Sequence, residues 1–213
     1  MMADTLPGIL AIWNDCAPGR EAEFEEWYQH EHFHERIAVP GFLLGRRYEA
    51  VSGTPRYFCF YLTRSPDVLK SAAYLERLDN PTPMTRSIMS DAFRDMSRTV
   101  FHRTVRLGAM WGAAAVTLRF GERMEQTALK AVIDTLLQDK AVACAEIWSA
   151  VGAGTIPVSE EERLRGGDRK IETCLFVETL RVAEAEKIAE ALSSKFSTAT
   201  VGVYRLLCEI GKP

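Results

Sequence analysis

The sequence predicts an α+β protein in which one β-α-β-β-α-β unit occurs twice. Strand-like and helix-like segments follow one another in the same order in each half of the chain. Short segments also match between the halves, such as YEAV at 48–51 and WSAV at 148–151. The 213 residues are 47% apolar and 26% charged, which is typical of a globular protein with a sizeable core.

In the first half, Pro40 and Gly41 end the first helix, and Ser-Gly-Thr-Pro at 52–55 supplies a hairpin turn. The predicted elements are a strand at 8–13, a helix at 18–39, strands at 42–51 and 57–63, a helical region from 65 that breaks at 80–83 and resumes over 84–96, and a strand at 98–107.

The second half repeats this order around a longer loop. Its predicted elements are a strand at 113–120, a helix at 124–138, a strand at 141–151, a loop at 152–169, a strand at 171–179, a helix at 182–196 and a strand at 200–210. Position 48 matches 148, 59 matches 174 and 102 matches 204, so the offset changes from 100 to 115 to 102. A longer hairpin loop and a shorter helical region would produce these changes.

The repeated order is that of the ferredoxin-like unit, which leaves one apolar sheet face open. Two such units in one chain can bury those faces against each other. We therefore expect a fused two-repeat α/β barrel with sheets inside and helices outside. The expected domains are residues 1–109, carrying the candidate site, and residues 110–213, serving as scaffold. The alternative is two unrelated α+β halves that share an element order by chance.

Charge and composition exclude several classes of function. The net charge of −3 gives no electrostatic reason to expect nucleic acid or an anionic membrane as a partner. No signal peptide or membrane-spanning run is visible. The five cysteines form no C-x-x-C pair and are expected to be reduced core residues, which indicates a cytoplasmic protein.

Three of the four histidines, His30, His32 and His34, lie in one five-residue stretch of the predicted first helix. A uniform helix would place Trp27, Glu31 and His34 on one stripe facing the sheet. A carboxylate and an imidazole on an aromatic stripe must be paired or line a cavity, and such a pair can transfer protons near neutral pH. The alternative is that these side chains only bond each other or a nearby arginine within the core.

His30, Glu31 and His34 also satisfy the zinc-hydrolase pattern H-E-x-x-H. A zinc site would need a third ligand, and His102, on a predicted strand, is the only distant histidine. We therefore expect no bound zinc and keep the zinc hydrolase as a minor alternative. On its strand, His102 can reach the cavity as a second acid–base group or can be a partly buried core histidine.

The pattern Trp27-Tyr28-x-x-Glu31-His32-x-x-Glu35-Arg36, followed by Pro40-Gly41-Phe42 and Gly45-Arg46-Arg47-Tyr48, resembles the first helix and second strand of dimeric α/β-barrel proteins. That superfamily includes EthD-like proteins, the antibiotic-biosynthesis-monooxygenase-like group, and small isomerases, cyclases and decarboxylases. The close resemblance covers about 22 residues, and the repeated element order extends it loosely over the chain.

The resemblance implies a cavity between helix and sheet that holds a small apolar or aromatic ligand and performs acid–base chemistry without a cofactor. Carried over to this sequence, the site positions are Trp27, Glu31, His32, Arg36 and Tyr48, with Tyr28 flanking the stripe. The resemblance favours His32 as the functional imidazole, whereas the helical wheel favours His34. A helix that ends or bends near Phe33 would change the wheel.

The expected function is a small cofactor-independent enzyme acting on an aromatic, polyketide-like or lactone compound. The alternatives are a non-catalytic module that binds a small apolar ligand, and a structural protein without a site. The helix of the second half has no histidine, so we expect one site per chain. Assembly into a homo-oligomer is left open.

Overall fold

The computed structural model describes residues 6–152 and 158–211 as an eight-stranded antiparallel barrel with helices on its outside. The strands are β1 (Gly8–Cys16), β2 (Phe42–Ser52), β3 (Tyr57–Thr63), β4 (Phe93–Leu107), β5 (Ala114–Phe120), β6 (Val142–Ala150), β7 (Thr173–Thr179) and β8 (Thr200–Gly211). The helices are α1 (Glu21–Trp27), α2 (Phe33–Ala38), α3 (Ala72–Asp79), α4 (Pro83–Ser87), α5 (Gln126–Leu136), α6 (Glu160–Leu164) and α7 (Val182–Lys195). A 3₁₀ turn lies at Pro66–Lys70, and π-helical turns lie at Tyr28–His32 and Ile88–Ala92.

The barrel is assembled from two four-stranded sheets with the same strand order. The first half gives β4-β1-β3-β2 and the second gives β8-β5-β7-β6, the order of the ferredoxin-like unit. The sheets join where β2 pairs with β8 and where β4 pairs with β6. The predicted α+β fold with two βαββαβ repeats in one barrel is therefore confirmed. The assignment of residues 1–109 and 110–213 as separate domains stays a prediction.

Buried side chains form three groups, because each strand presents alternate residues to the inside and outside of the barrel. The barrel interior is rich in aromatic residues, including Trp13, Tyr48, Phe58, Phe60, Trp148, Phe176 and Tyr204. The second group packs the first-half sheet against the helices from α1 to α4. The third packs the second-half sheet against α5 and α7. Both outer layers are thus covered, as the two-repeat barrel requires.

Two departures from the predicted elements bear on the candidate site. The helix predicted at 84–96 ends at Ala92, and β4 begins at Phe93 rather than at residue 98. Phe93 is buried with its ring 5.3 Å from Phe24 and 5.8 Å from Trp27, so tertiary packing decides the conformation here. The loop predicted at 152–169 contains α6, and residues 153–157 of it lie outside the described residues.

All five cysteines are free, and Cys59, Cys144 and Cys174 are buried in the core as expected. Burial raises the pKa of each of these three thiols well above its ordinary value. Within the part of the chain that the structure describes, no helix is long and apolar enough to cross a membrane.

Candidate functional site

The first helix runs without a break from Glu21 to Ala38, but its middle turn is π-helical. The backbone N–H of Phe33 donates to the carbonyl of Tyr28, five residues earlier, so this turn holds one more residue than an α-helical turn. The predicted stripe through Trp27, Glu31 and His34 assumed a constant 100° per residue and was wrong beyond Trp27. In the structure His32 is buried and His34 is exposed.

A cavity of about 30 Å³ lies between the first helix, with its π-helical turn, and the outer face of the first-half sheet. Its volume is that of about one water molecule. The side chains around it come from the first helix, three strands, the π turn before β4, and the segments that contain α3 and α6. They are Leu10, Ile12, Tyr28, His32, Arg36, Tyr61, Tyr74, Met89, Phe93, Met96, Arg98, Glu161 and Arg165.

Three polar atoms of this cavity lack a hydrogen-bond partner among the described residues. They are Nδ1 of His32, Nη1 of Arg36 and the hydroxyl oxygen of Tyr61, which has beside it the Cys59 thiol, a weak hydrogen-bonding group. An unsatisfied buried polar group costs about 1–3 kcal/mol, so buried polar atoms normally find a partner. Three such atoms around one cavity indicate a place where a polar molecule is bound.

His32 is held as a neutral imidazole. Its ring lies 4.0 Å from the Trp27 ring at an interplanar angle of 32°, and only 6% of the residue is exposed. Burial lowers the pKa of His32 well below its ordinary value, and the nearby guanidinium groups of Arg36 and Arg165 lower it further. A neutral imidazole can accept a proton at physiological pH.

Buried ion pairs surround the cavity. Arg36 pairs with Glu161, and both side chains are almost fully buried. Burial alone would lower the pKa of the Arg36 guanidinium, but the Glu161 carboxylate raises it above its ordinary value. Arg165 donates two hydrogen bonds to Asp168, at 2.7 and 2.8 Å.

A third buried arginine, Arg98, donates to the hydroxyl of Tyr74 at 2.8 Å and lies 3.9 Å from Asp168. The three guanidinium groups of Arg36, Arg98 and Arg165 thus face two carboxylates, those of Glu161 and Asp168. This wall of the cavity carries an excess of positive charge, which favours an anion or a developing negative charge.

Trp27 and Glu31 connect the first helix to α4 rather than lining the cavity. The Glu31 carboxylate accepts hydrogen bonds from the hydroxyls of Thr82 and Thr85, at 2.6 and 2.7 Å. The Thr85 hydroxyl also accepts from the Trp27 indole N–H at 2.8 Å. These bonds hold the aromatic platform on which His32 lies.

The residues of the H-E-x-x-H pattern point to different surroundings. His30 and His34 are exposed, and Nε2 of His34 lies 2.9 Å from the Gln29 carbonyl oxygen. In the ranges 6–152 and 158–211, no three His, Cys, Asp or Glu side chains are grouped so that they could hold a metal ion. The geometry therefore offers no support to the zinc-hydrolase alternative.

Tyr48 lies on the other side of the sheet from the cavity, which corrects the expected placement. Arg47 of β2 faces the first helix, with its guanidinium 4.2 Å from the Tyr28 ring centroid. Because strand residues alternate, Tyr48 faces the barrel interior. Its hydroxyl donates to Glu178 at 2.6 Å and accepts from Arg46 at 2.7 Å.

His102 follows the interior residue Phe101 on β4 and is therefore on the outer face of the barrel. It is partly exposed and pairs with Gly8, at the end of β1 that lies away from the cavity-lining Ile12. Its Nδ1 has no hydrogen-bond partner among the described residues. The structure does not bring His102 to the cavity beside His32.

Of the expected site residues, Tyr28, His32 and Arg36 meet at the cavity. Four further residues around the cavity were not predicted from the sequence: Tyr61 and Arg98 on strands, Glu161 in α6, and Arg165 directly after α6. Strand alternation places Tyr61 with Cys59, opposite the interior residues Phe58 and Phe60, so this signal was present. No local signal indicates that α6, about 125 residues along the chain from Arg36, packs here.

Comparisons of sequence found nothing, whereas comparisons of structure did. No protein-family model matches the sequence, and no curated protein matches it. A structure described as an anthrone oxidase-like protein superposes with a TM-score of 0.62 at 9% identity, covering 98% of this chain and 94% of the other. A putative monooxygenase from Fusobacterium nucleatum gives 0.59 at 8% identity, covering 99% and 96%.

A haem-binding protein from Thermus thermophilus gives a TM-score of 0.50 at 13% identity, covering 95% of this chain and 92% of the other. Identities this low show the fold alone. The chain shares the fold of these structures, an α/β barrel of two four-stranded sheets, with both halves of the barrel in one polypeptide.

Proposed function

We propose that this protein is a cofactor-independent enzyme that moves a proton on a small aromatic or lactone carbonyl compound, with its site at the cavity beside His32. The observation that carries the proposal is the group of three polar atoms, on His32, Arg36 and Tyr61, that have no strong hydrogen-bond partner among the described residues and belong to side chains around one cavity. The reaction class that fits these groups best is isomerisation of the carbonyl compound through an enolate.

His32 is the proposed general base. Burial lowers its pKa and so favours the neutral imidazole, whose Nδ1 can accept a proton when Nε2 carries the ring hydrogen, but the lowered pKa also makes it a weaker base than a free imidazole. In the proposed step, Nδ1 takes a proton from the carbon next to the substrate carbonyl. The electrons of that C–H bond form the enolate, and the proton returns to a different carbon of the same molecule.

Arg36 and Tyr61 are the proposed donors to the enolate oxygen. Nη1 of Arg36 has no partner in the described part of the chain, while Nη2 donates to Glu161, so the charge and orientation of Arg36 are fixed before the substrate binds. Burial raises the pKa of Tyr61 well above its ordinary value, so its hydroxyl stays protonated and can donate. Donors fixed in advance where charge develops are a large part of enzymatic rate enhancement.

A substrate needs more room than the cavity provides. Ligand pockets usually have volumes of about 300–1,000 Å³, whereas this cavity has about 30 Å³. Met89 and Met96 line it, and methionine side chains are unbranched and adapt readily. We expect these two side chains to move when a planar compound enters between Tyr28 and Phe93.

Haem, which one structural neighbour binds according to its description, does not fit the cavity beside His32 or the larger cavity at one end of the barrel. A haem pocket needs an axial ligand such as His, Cys, Met or Tyr. The cavity beside His32 is too small, and a larger cavity of about 470 Å³ at one end of the barrel is lined by none of these residue types. No step of the proposed reaction uses haem.

Hydrogen–deuterium exchange tests the proposal directly. The protein is incubated in D₂O with cyclic aromatic ketones and unsaturated lactones, a choice motivated by the anthrone oxidase-like neighbour. NMR then follows exchange of the protons next to the carbonyl. General acid–base catalysis contributes about 10²–10⁴-fold, so His32→Ala should slow exchange by about 10²-fold or more.

His34→Ala is the matched control, since His34 lies two residues away on the same helix and is exposed. It should leave the exchange rate unchanged. Equal rates for the wild-type protein and His32→Ala would overturn the assignment of the base. Binding of the compounds without exchange, detected as a rise in melting temperature that His32→Ala abolishes, would instead support the non-catalytic binding module.

A further inference from the structure

A buried arginine at one end of the barrel interior has no carboxylate partner among the described residues. Arg119 of β5 shares its face with the interior residue Ala115, because strand residues alternate. Only 8% of Arg119 is exposed. Its Nη2 donates to the carbonyl of Thr54, and its guanidinium lies 5.4 Å from the Trp13 ring centroid.

The charge of Arg119 is therefore poorly compensated. Its Nε has no hydrogen-bond partner in the described part of the chain, and the structure gives no salt bridge for it there. Burial lowers the pKa of its guanidinium, and the nearby Arg169 lowers it further. A buried charge without a counter-ion is strongly unfavourable, so such a group normally meets an anion.

Arg119 lines a cavity of about 470 Å³ at this end of the barrel, which is within the range of ordinary ligand pockets. The charged side chains that line it are Arg119, Arg169, Lys170, Asp15 and Asp95. Three positive and two negative charges leave an excess of one positive charge. That excess matches a monoanion, and the two carboxylates disfavour a dianion such as phosphate.

The ion pairs within this set are weak, which leaves Arg119 as the anchor. Arg169 and Asp95 are both about two-thirds exposed and lie 3.9 Å apart. The Asp15 carboxylate accepts from the backbone N–H of Arg56. Pro55 and Ile171, both buried, supply an apolar part of the cavity wall.

We propose that this end of the barrel is a second binding site, distinct from the cavity beside His32, which takes a small organic monocarboxylate. The carboxylate accepts hydrogen bonds from the Arg119 guanidinium, and the apolar body of the molecule lies against Pro55 and Ile171. This proposal does not depend on the proposed reaction, because the cavities lie on opposite faces of the first-half sheet.

Calorimetric titration with benzoate tests the site, with benzamide as the neutral control of the same shape and inorganic phosphate as the dianion. Benzoate should bind more tightly than either. Arg119→Met should weaken benzoate binding by about tenfold or more, the value of a charge-assisted hydrogen bond. Arg123→Met removes an exposed arginine three residues beyond β5 and should leave binding unchanged. His32→Ala should also leave it unchanged.

A second variant keeps the test decisive if Arg119→Met does not fold. Gly121 lines the same cavity, and an added Cβ would meet nothing within 4 Å, so Gly121→Trp introduces a bulky side chain at the cavity without a clash at its Cβ. It should weaken benzoate binding. Amide NMR shifts on adding benzoate should centre on residues 54–55 and 119–121. Undiminished binding to Gly121→Trp, shifts centred on residues 28–36, or equal binding of benzamide would overturn the proposal.

Discussion

The outer layers of the two halves are built on the same strand order but are filled differently. In the first half, the layer contains the rings of Phe24, Trp27 and Tyr28 and the cavity with His32 and Arg36. In the second half, α5 and α7 cover the sheet with a mainly aliphatic core. Its buried members include Val116, Leu118, Leu129, Val132, Ile133, Leu175, Val177, Ile188 and Leu192.

This comparison separates what the fold requires from what a site requires. Among the described residues, the aliphatic layer covers a sheet of this topology with apolar side chains and no buried ion pair. The buried charges of the first layer are therefore not needed for the barrel, and burying them costs stability. That cost is the argument for a function in the first half. The scaffold role of the second half stays a prediction, and the variants below test it.

The largest effect is expected from Glu161→Gln, which leaves the buried Arg36 without its charged partner. Breaking a buried ion pair by removing one partner costs about 3–5 kcal/mol. Urea unfolding measures this loss directly. The matched control in the second half is Asp134→Asn, whose partner Lys130 lies 2.8 Å away with both side chains about half exposed.

An exposed helical pair of this kind contributes about 0.3–0.5 kcal/mol. Equal losses for the two variants would mean that the Arg36–Glu161 pair is no more than a surface ion pair, and the contrast between the two layers would disappear. A large loss for Glu161→Gln alone would show that α6 is held on the first half by this charge.

Features of the two layers that depend on residues close together in the sequence were easier to predict than contacts between residues far apart. The two repeats and the barrel followed from element order, because a ferredoxin-like unit leaves a sheet face to cover. His32 and Arg36 were expected from the resemblance to dimeric α/β-barrel proteins, and Tyr28 was expected to flank the stripe of the first helix. The exposure of His34 was not expected, because no residue of Tyr28–His32 indicates a π turn and a helical wheel assumes the same rotation for every residue.

Other parts of the site could not be predicted from local sequence. Glu161 and Arg165 come from a segment that looked like a polar loop, and they meet Arg36 only through tertiary packing. Tyr48 was placed on the wrong face although strand alternation with Arg47 was available to correct it. The contacts of Glu161 and Arg165 could not be read from local sequence, whereas Tyr48 was assigned to the wrong face of β2.

The second prediction concerns pH. Folded His32 has a pKa well below its ordinary value because of burial, whereas the unfolded chain takes up a proton near pH 6.5. The stability contributed by the neutral imidazole is therefore fully present above about pH 6.5 and is lost as the pH falls towards the folded pKa. The slope can approach about 1.4 kcal/mol per pH unit.

His32→Gln should remove this slope, whereas His34→Gln, on the exposed side of the same helix, should keep it. Urea unfolding at several pH values between 7.5 and 5 gives the slope as a difference from the wild-type protein, so that other titrating groups cancel. A slope that survives in His32→Gln would place the pH dependence on a different group and would remove the argument for a neutral base.

The two smallest changes compare the halves most directly. A variant in the second half should lower stability without changing proton exchange, and a variant in the first half should slow exchange with little change in stability. Ile133→Val deletes one buried methyl group from the aliphatic layer and should cost about 0.5–1.5 kcal/mol without changing proton exchange. Tyr61→Phe removes a hydroxyl whose recorded neighbour is the weakly hydrogen-bonding Cys59 thiol, so it should change stability by less than about 1 kcal/mol and can even raise it. It should nevertheless slow exchange, since the enolate loses a donor. If Tyr61→Phe destabilises the protein by about 2 kcal/mol, as loss of a satisfied buried hydrogen bond would, the hydroxyl has a structural partner and the two layers differ in packing alone.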